Sequence, residues 1–335
     1  MVKEIRHAFK LIFAPTGDGY TVEVSGPRDI DVPPQPFAWP STSQATSRSL
    51  AAPESIKGLG RSLHNAVFTP TIATAYGKAQ ARIPDRQGMR IELQLEAPEL
   101  TTIPWEAMHD GSDFIATRSE YPLVRRISLP EGTKVRERLQ VHGPLRILVI
   151  ESWPQDLPDL SRSSGAAVDQ LSEALSDQIR KGRVVLDELL PPTVTDLREQ
   201  LLADYHIIYF VGHGDADQGI YLQDIDGFKE PVSAEDLAGM LEGKSTRLVF
   251  LNACHTDASR AEAKQSSSSF ARTLASQVGL PAIIAMQYEI SNDPAETLES
   301  QFFRSLAASY SVEQALAEAR QALTRDGEAG RDVIS

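Results

Sequence analysis

"YHIIYFVGHGD", residues 205–215, is an apolar run that ends in a histidine held between two glycines. Its stretch from His206 to Val211 shows no alternation of polar and apolar residues, so it reads as a strand buried on both faces. A second run of this kind, "RLVFLNACHT" (247–256), ends in Cys254, the only cysteine among 335 residues. Working outward, the same pattern recurs in "LRILVI" (145–150), "VVLDEL" (184–189) and "AIIAMQ" (282–287). Amphipathic helical patterns fall between them, near 163–181, 194–203, 233–242 and 268–278, with two more after residue 294. Strands without alternation, separated by helices, predict crossover connections and a mainly parallel sheet flanked by helices. The helix at 233 has clear ends, with Ser233 as cap, Asp236 three residues later and Gly243 just beyond.

The N-terminal part reads differently. "FKLIFAPTGDGYTVEVSG" (9–26) predicts a β-hairpin around turn residues. Residues 27–49 are rich in Pro, Ser and Thr and read as a loop or linker. A helical pattern over 55–81 is interrupted near Pro70. In "RIELQLEAPELTTIPWEAMHD" (90–110), a strand turns Ile91, Leu93 and Leu95 inward and a short helix surrounds Trp105; 114–130 adds strand material. These readings divide the chain into a smaller α+β lobe over 1–140 and an α/β domain over 141–335.

A net charge of −13 argues against nucleic acid as the main partner, because phosphate neutralisation requires a surplus of Lys and Arg. An acidic surface suits a basic protein partner. One cysteine forms no internal disulfide, "FKLIF" is too short for a signal peptide, and no apolar run approaches the ~18 residues of a membrane span. The expected location is the cytoplasm, without membrane association.

In open α/β sheets ligands bind beyond the carboxyl ends of the strands. His213 and Cys254 both stand at such ends, on strands joined by one helix and therefore expected to be neighbours about 4.8 Å apart. A free thiol has a pKa of roughly 8.5 and needs a base or a positive neighbour to act as a nucleophile at neutral pH. His213 is the candidate base, and the backbone amides of Gly214 and Cys254 are candidate oxyanion donors. The competing reading is a structural cysteine, since free cysteine is among the most buried residue types. A metal site from His213, Cys254 and His255 is disfavoured because adjacent strand residues point to opposite faces. "GMLEGKS" (239–245) has the wrong spacing for a phosphate-binding loop, and "SRSSG" (161–165) is not a nucleophile elbow. No cofactor is expected.

At these residues the sequence resembles the CHAT domain family, caspase-like cysteine peptidases related to separases, metacaspases and caspases. "PELTTIPWEAMHD", "YPLVRRISLP", "LRILVIESWPQDLP", "YHIIYFVGHGD", "EPVSAEDLAGML", "RLVFLNACHTDAS", "VGLPAIIAMQYEIS" and "SVEQALAEARQAL" are similar to family blocks in the family's order. The resemblance implies a caspase-like α/β sandwich in the second domain and an endopeptidase working through a His213/Cys254 dyad and a thioester. By the same analogy an acidic residue after the next strand binds a basic P1 side chain, at Asn292 or Asp293, with Asp293 preferred. The competing role for Asp293 is to cap the following helix. Asn252 stands where metacaspases carry an acid, which argues against strong Arg/Lys specificity. The implied setting is a defence or regulated-death cascade, beside gasdermin-like pore formers or CRISPR-associated systems, with a dedicated protein substrate. Family members commonly continue into a further strand, whereas this sequence stops at "GEAGRDVIS", which reads as a truncated chain. Without a fused sensor, regulation is expected from an upstream activating protease or a sensor protein. Residues 255–271 read as a polar, protease-sensitive loop, either an ordinary surface loop or one in which a cut near Arg260 or Lys264 matures the enzyme. The alternative reading of the whole chain is a catalytically silent CHAT-like interaction module.

Overall fold

The computed structural model describes residues 2–38, 53–136, 141–158, 165–215, 218–255, 260–286 and 292–325. By compactness the chain forms two units, Met1–Ser128 with Thr297–Ser335, and Leu129–Glu296. The division therefore does not run at a single point in the sequence.

In the first unit β1 (Glu4–Thr16) and β2 (Gly19–Ser25) make the expected antiparallel hairpin. Residues 31–37, read as loop, instead form strand β3 (Asp31–Phe37), antiparallel to β2 with an irregularity opposite Val22 and Val24. β3 is the edge of its sheet, and an edge strand tolerates Pro33, Pro34 and Pro36 because only one of its sides must supply ladder bonds. The remainder of the expected loop beyond residue 38 lies outside the described residues. Helices α1 (Pro53–Val67) and α2 (Pro70–Arg82) are separated where Pro70 opens α2, with Thr69 capping the amide of Ile72. Strands β4 (Gln87–Leu95) and β5 (Leu123–Arg126) complete the sheet order β3-β2-β1-β4-β5, parallel between β1, β4 and β5. Phe9, Phe13, Leu11, Ile91, Leu93 and Trp105 lie in its core, and Trp105 also donates its indole N–H to Leu100 O at 2.8 Å.

The second unit alternates as the apolar runs predict: β6 (Leu145–Ser152), α3 (Ala166–Ala174), α4 (Ser176–Arg180), β7 (Val184–Leu189), α5 (Val194–Gln200) and β8 (Ile207–Asp215). A hairpin not foreseen in the sequence follows, β9 (Gly219–Gln223) and β10 (Lys229–Val232). Gly219 opens it at φ +95°, where an added Cβ would lie 2.2 Å from Val232 O, so no other residue fits. Then come α6 (Ala234–Leu241), β11 (Leu248–His255), α7 (Arg260–Val278) and β12 (Ala282–Ala285). β7, β6, β8, β11 and β12 lie side by side and parallel, while β9 pairs antiparallel with the end of β8 at Gly214 and Asp215. The sheet is thus mixed, with a parallel centre. One face packs Ile150, Phe210 and Leu251 against Leu197 of α5, Leu237 of α6 and Leu274 of α7. Finally α8 (Asn292–Ala307) and α9 (Val312–Arg325) follow, and α8 from Thr297 onward folds with the first unit together with α9.

Candidate active site

β8 and β11 owe their adjacency to their apolar sequences, since only a strand covered on both faces can hold the centre of such a sheet. Their register is Val249 with Ile208, Leu251 with Phe210, and at the carboxyl end Cys254 with His213. The dyad proposed from sequence therefore occupies partner positions on adjacent parallel strands. Asn252, two residues before Cys254, is a partner of Val211 and is buried.

His213 is 1% exposed. Its Nε2 lies 2.8 Å from Pro158 O, and a carbonyl only accepts, so Nε2 carries the proton and Nδ1 holds the lone pair. Nδ1 is buried without a hydrogen-bond partner among the described residues. The ring is thus oriented by a backbone carbonyl and keeps one basic nitrogen available. Burial pushes its pKa below the ordinary value, and the bond to Pro158 offsets this in part.

A Cβ on Gly212 would lie 2.8 Å from Ser152 O on the neighbouring strand, so Gly212 allows β6 and β8 to pack closely at the site. Gly214 continues the strand as partner of both His255 and Ile220.

Glu151, at the end of β6, was not recognised in the sequence. Its Oε1 accepts the backbone N–H groups of Ala167 and Val168, both at 3.0 Å, so it caps the start of α3, while Oε2 is buried without a described partner. The one available signal was a carboxylate ending an apolar run in "LRILVIES". Glu188 of β7 stands on the same face, its pKa raised by burial and by the nearby charges of Glu151 and Asp169.

Other sequence candidates fall elsewhere. Asp293 is exposed in the first turn of α8, the helix-start position of its competing reading; Asn292 begins the same helix. Arg260 and Lys264 correct the expectation of a loop, because both lie in the first turns of α7. Alanine and glutamate in "RAEAKQ" favour helix strongly enough to override the polar character of the segment. His255 follows Cys254 in strand β11, a partner of Gly214. Among the described residues no group of three or more His, Cys, Asp or Glu side chains is placed to hold a metal ion. No helix among them is long and apolar enough to cross a membrane.

The family model for the CHAT domain matches residues 57–331, and the chain belongs to that family, which implies a caspase-like fold. β1, β2 and β3 precede the matched region. No curated protein matches the chain.

Proposed function

We propose that the protein is a cysteine endopeptidase acting on a protein substrate, with Cys254 as nucleophile and His213 as base. The observation that carries this reading is the partnership of His213 and Cys254 at the ends of adjacent strands. His213 Nδ1 accepts the thiol proton and the thiolate attacks the scissile carbonyl carbon. The oxyanion that forms is held by the amides of Gly214 and Cys254. The C–N bond then breaks as His213 returns the proton to the departing amine, leaving a thioester. Water, deprotonated by His213, attacks the thioester and restores the thiol. Asp293 and Asn252 are proposed to contact substrate, and the setting by family analogy is a cytoplasmic bacterial defence or regulated-death cascade. Maturation by a cut at Arg260 or Lys264 requires the start of α7 to unwind, because proteases bind extended chain.

The test is hydrolysis of a mixed fluorogenic peptide library by the chain, by Cys254→Ala and by His213→Ala. Cleavage by the parent, lost by at least 10³-fold in both variants, is the expected result; cleavage that survives Cys254→Ala would refute the mechanism. The near-complete burial of His213 favours one second reading, a silent interaction module. It predicts no hydrolysis and a thiol that resists iodoacetamide in the folded protein.

A further inference from the structure

Three large apolar side chains are exposed around one rim of the second unit: Ile225 at 95%, Leu190 at 70% and Phe228 at 49%. They come from two segments, the β7–α5 connection and the β9–β10 turn, and backbone bonds hold these together. Gln223 N donates to Pro192 O at 2.9 Å between the segments, and within the turn Asp224 N donates to Phe228 O at 2.8 Å. The turn is built rather than loose, for Asp224 Oδ1 accepts the N–H groups of Asp226 and Phe228, both at 2.9 Å. A structured turn has no folding reason to present isoleucine to water, where Asn or Asp would serve it better.

The rim is also tied to the candidate active site. Gln155 N donates to Gly227 O, and Lys229 N donates to Asp156 Oδ1, each at 2.9 Å. Along the same segment, Pro158 supplies the carbonyl that orients His213. Across residues 155–158, 190–193 and 224–229 the carboxylates Asp156, Asp224 and Asp226 outnumber the one cation, Lys229.

We propose that this rim is a docking surface for a segment of the protein substrate remote from the scissile bond, carrying apolar side chains flanked by Lys or Arg. The proposal rests on the endopeptidase reading for the word substrate, while the binding itself does not require catalysis. Apolar residues supply the contact area, and the acidic border selects a basic partner. Continuity with the Pro158 segment places the docked chain beside the dyad, so that docking raises the local concentration of the cleavable bond.

The experiment uses the full chain carrying Cys254→Ala, so that no cleavage interferes. Two fluorescein-labelled peptides are titrated by anisotropy, one alternating Leu or Phe with Lys, the other identical with Glu in place of Lys. The basic peptide should bind, weaken as salt rises, and lose roughly tenfold or more in affinity with Ile225→Ser/Phe228→Ser. Leu202→Ser, removing an apolar side chain that is 80% exposed outside the rim, should leave binding unchanged. Unchanged binding by the double variant, or an equal loss with Leu202→Ser, would overturn the proposal. Equal binding of the Glu peptide would overturn the charge selection. No binding by the parent, together with a dimer that the double variant dissolves, would overturn it in favour of a second copy of the chain. A failed peptide-hydrolysis test with intact binding would instead reject the endopeptidase reading alone.

Discussion

His213 joins two demands that pull in opposite directions. The base proposed for His213 must keep a lone pair at working pH, and burial favours that state by disfavouring the imidazolium, lowering its pKa from 6.5. The acid limb of kcat/KM is therefore expected below pH 6.5; a limb assigned to His213 at or above that value would contradict the geometry. Stability follows the same linkage. Above pH 6.5 folded and unfolded forms both hold a neutral ring, so nothing is lost. As pH falls below 6.5 the unfolded chain binds the proton first, and stability declines until the folded-state pKa is passed. A His213→Gln variant should flatten that part of the stability profile in urea titrations. Residue types made His213 and Cys254 a candidate pair in the sequence, because a thiol needs a base and both residues end apolar runs. The carbonyl of Pro158 was not legible, since every residue has one and only the fold selects which faces the ring.

At the scale of elements, the start of α6 was legible because its chemistry is local, whereas α7 begins at Arg260, well before the expected 268. Ser233 and Asp236 form the reciprocal capping box foreseen, Ser233 Oγ accepting the Asp236 amide at 3.0 Å and Asp236 Oδ2 accepting the Ser233 amide at 3.4 Å. Ser233→Ala should cost about 1 kcal/mol of stability, measured by denaturant midpoint, because it leaves an amide of α6 without its acceptor. Ser233→Asp should restore most of it. Strand β3 shows the opposite case. Its prolines signal a loop when taken alone, and only a position at the sheet edge makes them compatible with a ladder. The β9–β10 hairpin was missed for a related reason, as strands of five and four residues are too short to show a period.

For the molecule as a whole, the C-terminal helix α9 belongs to the unit built by the N-terminal sheet. Gln314 donates to Lys3 O at 2.8 Å, and Glu313 lies 3.8 Å from Arg90. Beneath them Arg320, buried, shares the neighbourhood of Glu106 and Arg125. Burial pushes the Glu106 carboxyl up, but the charge and hydrogen bonds of Arg125, with Arg320, outweigh it and hold the pKa below its ordinary 4.5. This contribution is present above pH 4.5 and is lost as pH falls through the lower folded value. Arg125 also donates to Thr101 O and Ile103 O at 2.7 and 3.1 Å, so it organises the turn before Trp105. Arg125→Met should destabilise the protein by about 3 kcal/mol or more, by leaving Glu106 buried with less compensation. Glu106→Gln in that background should recover part of the loss, and a double-mutant cycle in urea measures the coupling.

What the sequence by itself determined is what depends on near neighbours: which continuous apolar runs are strands, where α6 begins, that α1 and α2 part at Pro70, and which residues end the central strands. The blocks carrying the CHAT resemblance belong here too, since they are contiguous stretches. Only the tertiary structure decided the partnership of Cys254 with His213, the sealing of His213 beneath Pro158, the place of β3 at an edge and the joining of α9 to the N-terminal sheet. Register and burial are properties of pairs of segments far apart in the chain. Their free energy comes from area and hydrogen bonds that exist only once both partners are in place.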